Sequence, residues 1–278
     1  MKFLIVTADD FGLHAAVNRA VERAAREGVL TTTSLMVGAP AAADAVQRAR
    51  DLPGLGVGLH LVLADGWSVL PQRSIPALVD SQGRFGNNMV RDGVRFFALP
   101  AVRRQLEAEI RAQFQAFADT GLPLDHVNAH KHFHLHPTLL EMLLRIGEEF
   151  GVPAVRLPRE PAGSIAAGLL SPWLAIMRRR LRAARIAHND YVFGMSGSGS
   201  MDEARLLEIL ARLPDGVTEI YLHPADESGI TPGMSGYRHS DELAALLSPR
   251  VRAAVTASGA VTGTFRQLAG QAAELRAA

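Results

Sequence analysis

With 278 residues and 48% hydrophobic content, the chain can bury a sizeable core and fits one large α/β domain. A net charge of +1 offers no basic stripe for nucleic acid, and the lack of cysteine excludes disulfides and thiolate metal sites, so any metal must sit on nitrogen and oxygen ligands. The opening apolar run meets Asp9 and Asp10 too soon for a signal-peptide core, and no later stretch reaches the roughly 18 apolar residues of a membrane span, so a cytoplasmic protein is expected.

Short apolar runs alternate with amphipathic stretches along the chain. Residues 3–8 read as the first strand and 15–27 as a helix closed by Gly28. Strands follow over 32–37 and 55–61, with a helix over 41–49 between them, and then a long stretch, 62–100, interrupts the spacing. A strongly periodic helix spans 102–118 and stops before Gly121. A short strand over 125–128 leads into a histidine cluster, 138–150 reads as a helix, and 154–157 as another strand. Residues 194–200 have the Gly/Ser composition of a mobile loop. The last strands fall at 219–222, ahead of His223-Pro224, and at 263–265.

Repeated β-α alternation predicts a parallel sheet, either closed or open and doubly wound. Polar residues decide between the two. Asp9 and Asp10, His60, His130 and His223 each follow the apolar part of a different strand. A (β/α) barrel brings the carboxyl ends of its strands to one face, where catalytic groups gather. The expected architecture is therefore α/β, a distorted TIM-like (β/α) barrel in a single domain with insertions, chiefly over 62–100.

Thr7-Ala8-Asp9-Asp10-Phe11-Gly12 sets two adjacent carboxylates at the end of a buried strand. Such a pair repels and loses hydration, and a cation between the two relieves both costs. A helix N-cap beside a solvated turn residue is the other reading. His60 and the cluster His130, His132, His134 and His136 complete a candidate metal site, which points to a metal-dependent hydrolase. The four cluster histidines share one parity, so on an extended segment they face one side. Four ligands from one strand to one ion is poor geometry, so one direct ligand is expected. His60 and His223 also fit the role of a hydrogen-bonded structural histidine. Arg156, on an otherwise apolar strand, calls for a carboxylate partner, a catalytic Asp being one candidate.

Ala8-Asp9-Asp10-Phe11-Gly12, Gly58-Leu59-His60, Asn128-Ala129-His130-Lys131-His132-Phe133-His134 and Leu222-His223-Pro224-Ala225 occur in an order that resembles the YdjC-like (ChbG) carbohydrate deacetylases. The stretches 125–137 and 93–97 are most similar to its hopanoid-biosynthesis-associated, HpnK-like members. One departure is visible: the family commonly carries Asp-Ser before the first cluster histidine, where this chain has Asn128-Ala129. The resemblance implies one divalent metal, Mg²⁺ or Zn²⁺, held by Asp10, His60 and His130, with Asp9 as general base and His223 as general acid. Ligand softness favours zinc or another transition metal for one carboxylate with two imidazoles.

The implied substrate is an N-acetylated amino sugar, in the HpnK-like members a lipid-linked one, N-acetylglucosaminyl hopanoid. Soluble chito-oligosaccharides are the alternative acceptor, and a non-catalytic sugar- or metal-binding protein is the alternative from another class. The stretch 169–186 mixes Leu170, Trp173, Leu174, Ile176, Met177 and Leu181 with Arg178, Arg179, Arg180, Arg182 and Arg185. It reads either as peripheral contact with an anionic membrane, at its inner face, or as an ordinary amphipathic helix packed on the barrel.

Overall fold

The computed structural model describes the backbone of residues 1–161 and 165–277 and the side chains of 1–161 and 170–271. Seven strands form the sheet: β1 (Lys2–Phe11), β2 (Thr32–Leu35), β3 (Gly56–Leu61), β4 (Leu124–Ala129), β5 (Tyr191–Phe193), β6 (Gly216–Leu222) and β7 (Val261–Thr262). The helices are α1 (Ala15–Glu27), α2 (Ala42–Arg50), α3 (Met89–Ala98), α4 (Pro100–Asp119), α5 (Pro137–Glu149), α6 (Ile165–Ala183), α7 (Glu203–Ala211), α8 (His239–Leu247), α9 (Pro249–Ala257) and α10 (Phe265–Ala277).

The strands pair in parallel in the order β4-β3-β2-β1-β6-β5, with β7 on the lower edge of β1. Two isolated parallel bridges continue this path, Val127↔Val155 from β4 and Ala154↔Ala187 onward. The 187 segment runs directly into β5, so main-chain pairing passes round a distorted TIM-like barrel. The 154–157 segment is thus a sheet member, but a regular strand does not form there. Pro153 and Pro158 flank it and carry no N–H, which removes donors that a longer ladder needs.

The period of two decides what lies inside the barrel. On β1, Leu4, Val6 and Ala8 join the large core under the helices, whereas Phe3 and Ile5 form a separate cluster with Ala154 and Phe265 that fills the lower barrel. Continuing on that second face, Thr7 and Asp9 enter a buried polar layer. Glu219 and Tyr221 of β6, His60 of β3 and Asn128 of β4 take part in the same upper layer. The barrel interior is therefore apolar at one end and polar at the carboxyl end.

The expected strand at 263–265 is corrected by the same packing. Phe265 opens α10 instead, because the buried Asp125 carboxylate accepts the N–H groups of Arg266 (2.9 Å) and Phe265 (3.3 Å) and so caps a helix. Burial pushes the Asp125 carboxyl up, but His126, the Arg266 N–H and the Thr264 hydroxyl outweigh it and hold it below the ordinary carboxylate range. A depressed folded-state value stabilises above the ordinary range, and that contribution is lost as pH falls through it. Asp125→Asn is expected to cost about 1–3 kcal/mol at pH 7 and distinctly less near pH 3, read as urea midpoints. A penalty independent of pH would count against this role.

Gly28 does cap α1, though its φ of −111° is not left-handed. What requires glycine is space, since a Cβ there would lie 2.5 Å from the Leu246 carbonyl oxygen. The insertion over 62–100 holds a 3-10 turn, two short antiparallel bridges and α3. It is tied down by α4, whose buried Glu109 accepts the N–H groups of Val69 and Leu70 while Gln113 bonds both main-chain groups of Val62. On α6, Leu174, Met177 and Leu181 are buried against the barrel and Trp173 donates to the Leu135 carbonyl, the pattern of an ordinary packed amphipathic helix. Leu170 and Ile176 stay exposed, while the side chain of Leu169 lies outside the described residues. Among the described residues, no helix is long and apolar enough to cross a membrane.

Candidate active site

Asp10 breaks the strand period. Neighbouring residues of a regular strand point to opposite faces, yet Asp10 turns back to the barrel mouth with a φ of 66°, and the β1–β2 register slips between Ala8 and Phe11. A left-handed aspartate costs about 1–3 kcal/mol and is retained where the surroundings enforce it. Its carboxylate stands 3.2 Å from His60 Nε2 and 3.1 Å from His130 Nδ1. One candidate ligand atom from each of the three lies within 4.8 Å of the others.

These spacings suit a shared cation. Two ligands about 2.1 Å from one ion at right or tetrahedral angles lie about 3.0–3.4 Å apart. The second Asp10 oxygen, Oδ2, is buried without a hydrogen-bond partner, a costly state that a cation would relieve. Burial works against the Asp10 charge, but His130 prevails and holds the carboxyl well below its ordinary value. The donor set, one carboxylate and two imidazoles, fits a divalent ion.

Asp9 is neutralised separately. Arg156, fully buried, donates to Asp9 Oδ2 (2.6 Å) and Oδ1 (3.0 Å), and to Glu219 through Nε (2.9 Å) and Nη2 (2.7 Å). Thus an arginine, and not a metal between the two acids, compensates the first carboxylate. Burial alone would raise the Asp9 pKa, but the Arg156 charge overcomes it and keeps Asp9 ionised far into acid.

Asn128 and Ser34 join the two centres. Ionised Asp9 can only accept, so Asn128 turns its amide nitrogen to Asp9 Oδ1 (3.1 Å), and its amide oxygen then faces His60 Nδ1 at 2.6 Å. His60 Nδ1 must carry the proton, so the neutral ring turns a bare Nε2 toward Asp10 and the candidate metal position. Ser34 donates to Asp9 Oδ1 (2.7 Å). Neither residue was a candidate from sequence, although Asn128 was visible as a departure from the family pattern.

The histidine cluster does not run extended. Residues His130–Leu135 form a 3-10 turn in which Lys131 and His132 have positive φ, so shared parity does not put the rings on one side. His130 approaches Asp10, His132 meets the Tyr221 hydroxyl (2.9 Å), His134 meets the Arg156 carbonyl (3.0 Å), and His136 precedes α5 beside Phe96 and Phe133. Burial keeps His132 neutral and lowers the His134 pKa to about 3. Both therefore stay uncharged beside Arg156.

His223 follows β6 and reaches the site from the far wall, its Nε2 4.0 Å from Asp10 Oδ2. A cavity of about 260 Å³ lies between these groups, lined by Asp9, His60, His130, Tyr221, His223 and Tyr237 among others. The loop over 194–200 supplies Met195 and Ser198 to its rim, and the Ser198 hydroxyl lies 2.9 Å from that of Tyr237. Base-like, acid-like and candidate metal-ligating groups thus face one small space.

The family described as YdjC-like protein matches residues 3–257. A carbohydrate deacetylase from Brevibacillus brevis is 34% identical over 90% of this chain and 92% of its own length. A chitooligosaccharide deacetylase from Serratia marcescens is 32% identical over 96% and 99%. Among solved structures, a putative cellobiose-phosphate cleavage protein from Enterococcus faecalis superposes with a TM-score of 0.78 at 26% identity, covering 96% of this chain and 98% of that one.

Proposed function

The chain belongs to the YdjC-like family, and from that premise we propose that it hydrolyses the N-acetyl group of an amino sugar with one divalent metal held by Asp10, His60 and His130. The observation that carries the reading is the convergence of His60 and His130 with Asp9 and His223 on one cavity, with the Asp10 carboxylate 3.2 and 3.1 Å from the two imidazoles. A bound divalent ion would supply Lewis-acid polarisation of the amide carbonyl and make water more acidic. Asp9 takes the proton of the attacking water, whose oxygen bonds to the carbonyl carbon. Arg156 holds Asp9 ionised and fixed at some expense of basicity, so Asp9 suits a water that is already acidified. His223, across the cavity, gives its proton to the sugar nitrogen as the C–N bond breaks, leaving acetate and a free amine.

Acetate release from N-acetylated sugars should stop on chelation and return with added metal; turnover that survives complete metal removal would sink the proposal. Asp9→Asn is expected to keep the metal while losing most turnover. His223→Ala should slow an amide about 10²-fold or more and an activated aryl ester far less, since only the amine needs protonation to leave. Equal rates for His223→Ala and wild type on the amide would remove the assigned acid.

For the acceptor we propose N-acetylglucosaminyl hopanoid in preference to a soluble sugar. Similarity over 125–137 and 93–97 supports it, as does Ile176, exposed one helical turn from Arg179 and Arg180 on α6 and able to meet an anionic membrane. At about 260 Å³ the cavity lies just below the ~300–1,000 Å³ typical of ligand sites, which suits one acetamido sugar with the rest of the acceptor outside. The Serratia relative favours the rival acceptor, a chito-oligosaccharide. Higher kcat/KM on the glycolipid than on diacetylchitobiose is expected, with liposome binding weakened by charge reversal at Arg178, Arg179 and Arg180. Equal or better turnover of the disaccharide would overturn the acceptor assignment.

A further inference from the structure

Both main-chain groups of His223 are held by side chains of a single helix. Its N–H donates to Glu242 Oε2 at 2.5 Å, and its carbonyl oxygen accepts from His239 Nδ1 at 2.6 Å. Both partners belong to α8 and both are buried. The other Glu242 oxygen accepts the N–H of Met201 at 2.8 Å, at the end of the loop whose Met195 and Ser198 rim the cavity. One buried carboxylate therefore ties the strand end that carries His223 to the rim loop. The Tyr237 ring meets the His223 imidazole edge-on, with centroids 5.2 Å apart.

Burying a carboxylate is costly, and a neutral side chain would satisfy a single N–H at lower expense. Two separate N–H donors, one on each oxygen, are what a carboxylate serves and an amide does not. Resting on the reading of His223 as the acid for the leaving nitrogen, we propose that Glu242 is its positioning residue, fixing where the imidazole stands relative to the Asp10–His60–His130 triad, with His239 completing the clamp. Glutamine at 242 can satisfy only one of the two N–H groups and turns its own N–H against the other.

The test compares Glu242→Gln, His239→Ala, His223→Ala and the Glu242→Gln/His223→Ala double variant on an acetamido sugar and on 4-nitrophenyl acetate. Metal content and thermal midpoint are measured in parallel. A displaced acid by about 1 Å should cost about 10²-fold in kcat on the amide, with KM little changed. The aryl ester should lose far less, and the double variant no more than His223→Ala alone. Equal loss on both substrates, or a further loss in the His223→Ala background, would overturn the proposal. If Glu242→Gln does not fold, His239→Ala alone must show the same amide-selective loss, and its failure to do so overturns the clamp. Should His223→Ala itself spare the amide, the acid assignment falls first, a result distinct from failure of the clamp.

Discussion

Asp10→Ala is expected to abolish stoichiometric binding of a divalent ion and to lower kcat/KM by more than the roughly 10–100-fold that follows loss of an outer-sphere partner. Asp10 is the one carboxylate between two imidazoles, at 3.2 and 3.1 Å, and its Oδ2 has no protein partner to lose. His60→Ala and His130→Ala should act in the same direction. For His60 the effect should extend to Asn128→Leu, which removes the oxygen that keeps the proton on Nδ1. Elemental analysis after chelation and reloading reads the metal, and acetate release reads the activity. An Asp10→Ala protein that retains one tightly bound ion would show that the metal lies elsewhere.

Arg156→Met should be among the most destabilising single substitutions in this chain, by about 3–5 kcal/mol in urea unfolding, because it leaves two buried carboxylates without their shared cation. Four hydrogen bonds to Asp9 and Glu219 disappear together, and with them the stacking of the guanidinium on Tyr221, 4.5 Å from the ring centroid. Arg156→Lys should recover little, since an ammonium cannot grip two carboxylates bidentately. Adding Glu219→Gln to Arg156→Met should return part of the stability by removing one uncompensated charge. A loss below about 1 kcal/mol for Arg156→Met would mean that solvent reaches this network. The same variant should cost turnover, since Asp9 would lose both its orientation and the charge that keeps it ionised.

These two expectations rest on features of different legibility. The strand-ending positions of Asp9, Asp10, His60, His130 and His223 are readable in the sequence, because an apolar run followed by a polar residue is a local pattern. So is the barrel interior in part: the period of two along β1 assigns Phe3, Ile5, Thr7 and Asp9 to one face and Leu4, Val6 and Ala8 to the other. The need of Arg156 for a carboxylate also follows from composition alone, since a guanidinium on an apolar strand is too costly to bury unpaired.

What the partners are is decided only in three dimensions. Asp10 joins the site against the strand period, through a left-handed backbone and a register slip that no periodicity signals. The histidine cluster, extended by its parity, folds into a 3-10 turn, so one ring meets Asp10 and the others go to Tyr221, a backbone carbonyl and Phe96 of α3. Likewise 154–157 keeps its place in the barrel without forming a regular strand, since its flanking prolines thin the ladder on both sides. Local alternation depends on neighbours in sequence and is legible there. Which carboxylate meets which cation depends on residues more than a hundred positions apart, such as Asp9 and Arg156, and only packing of the closed sheet brings them together.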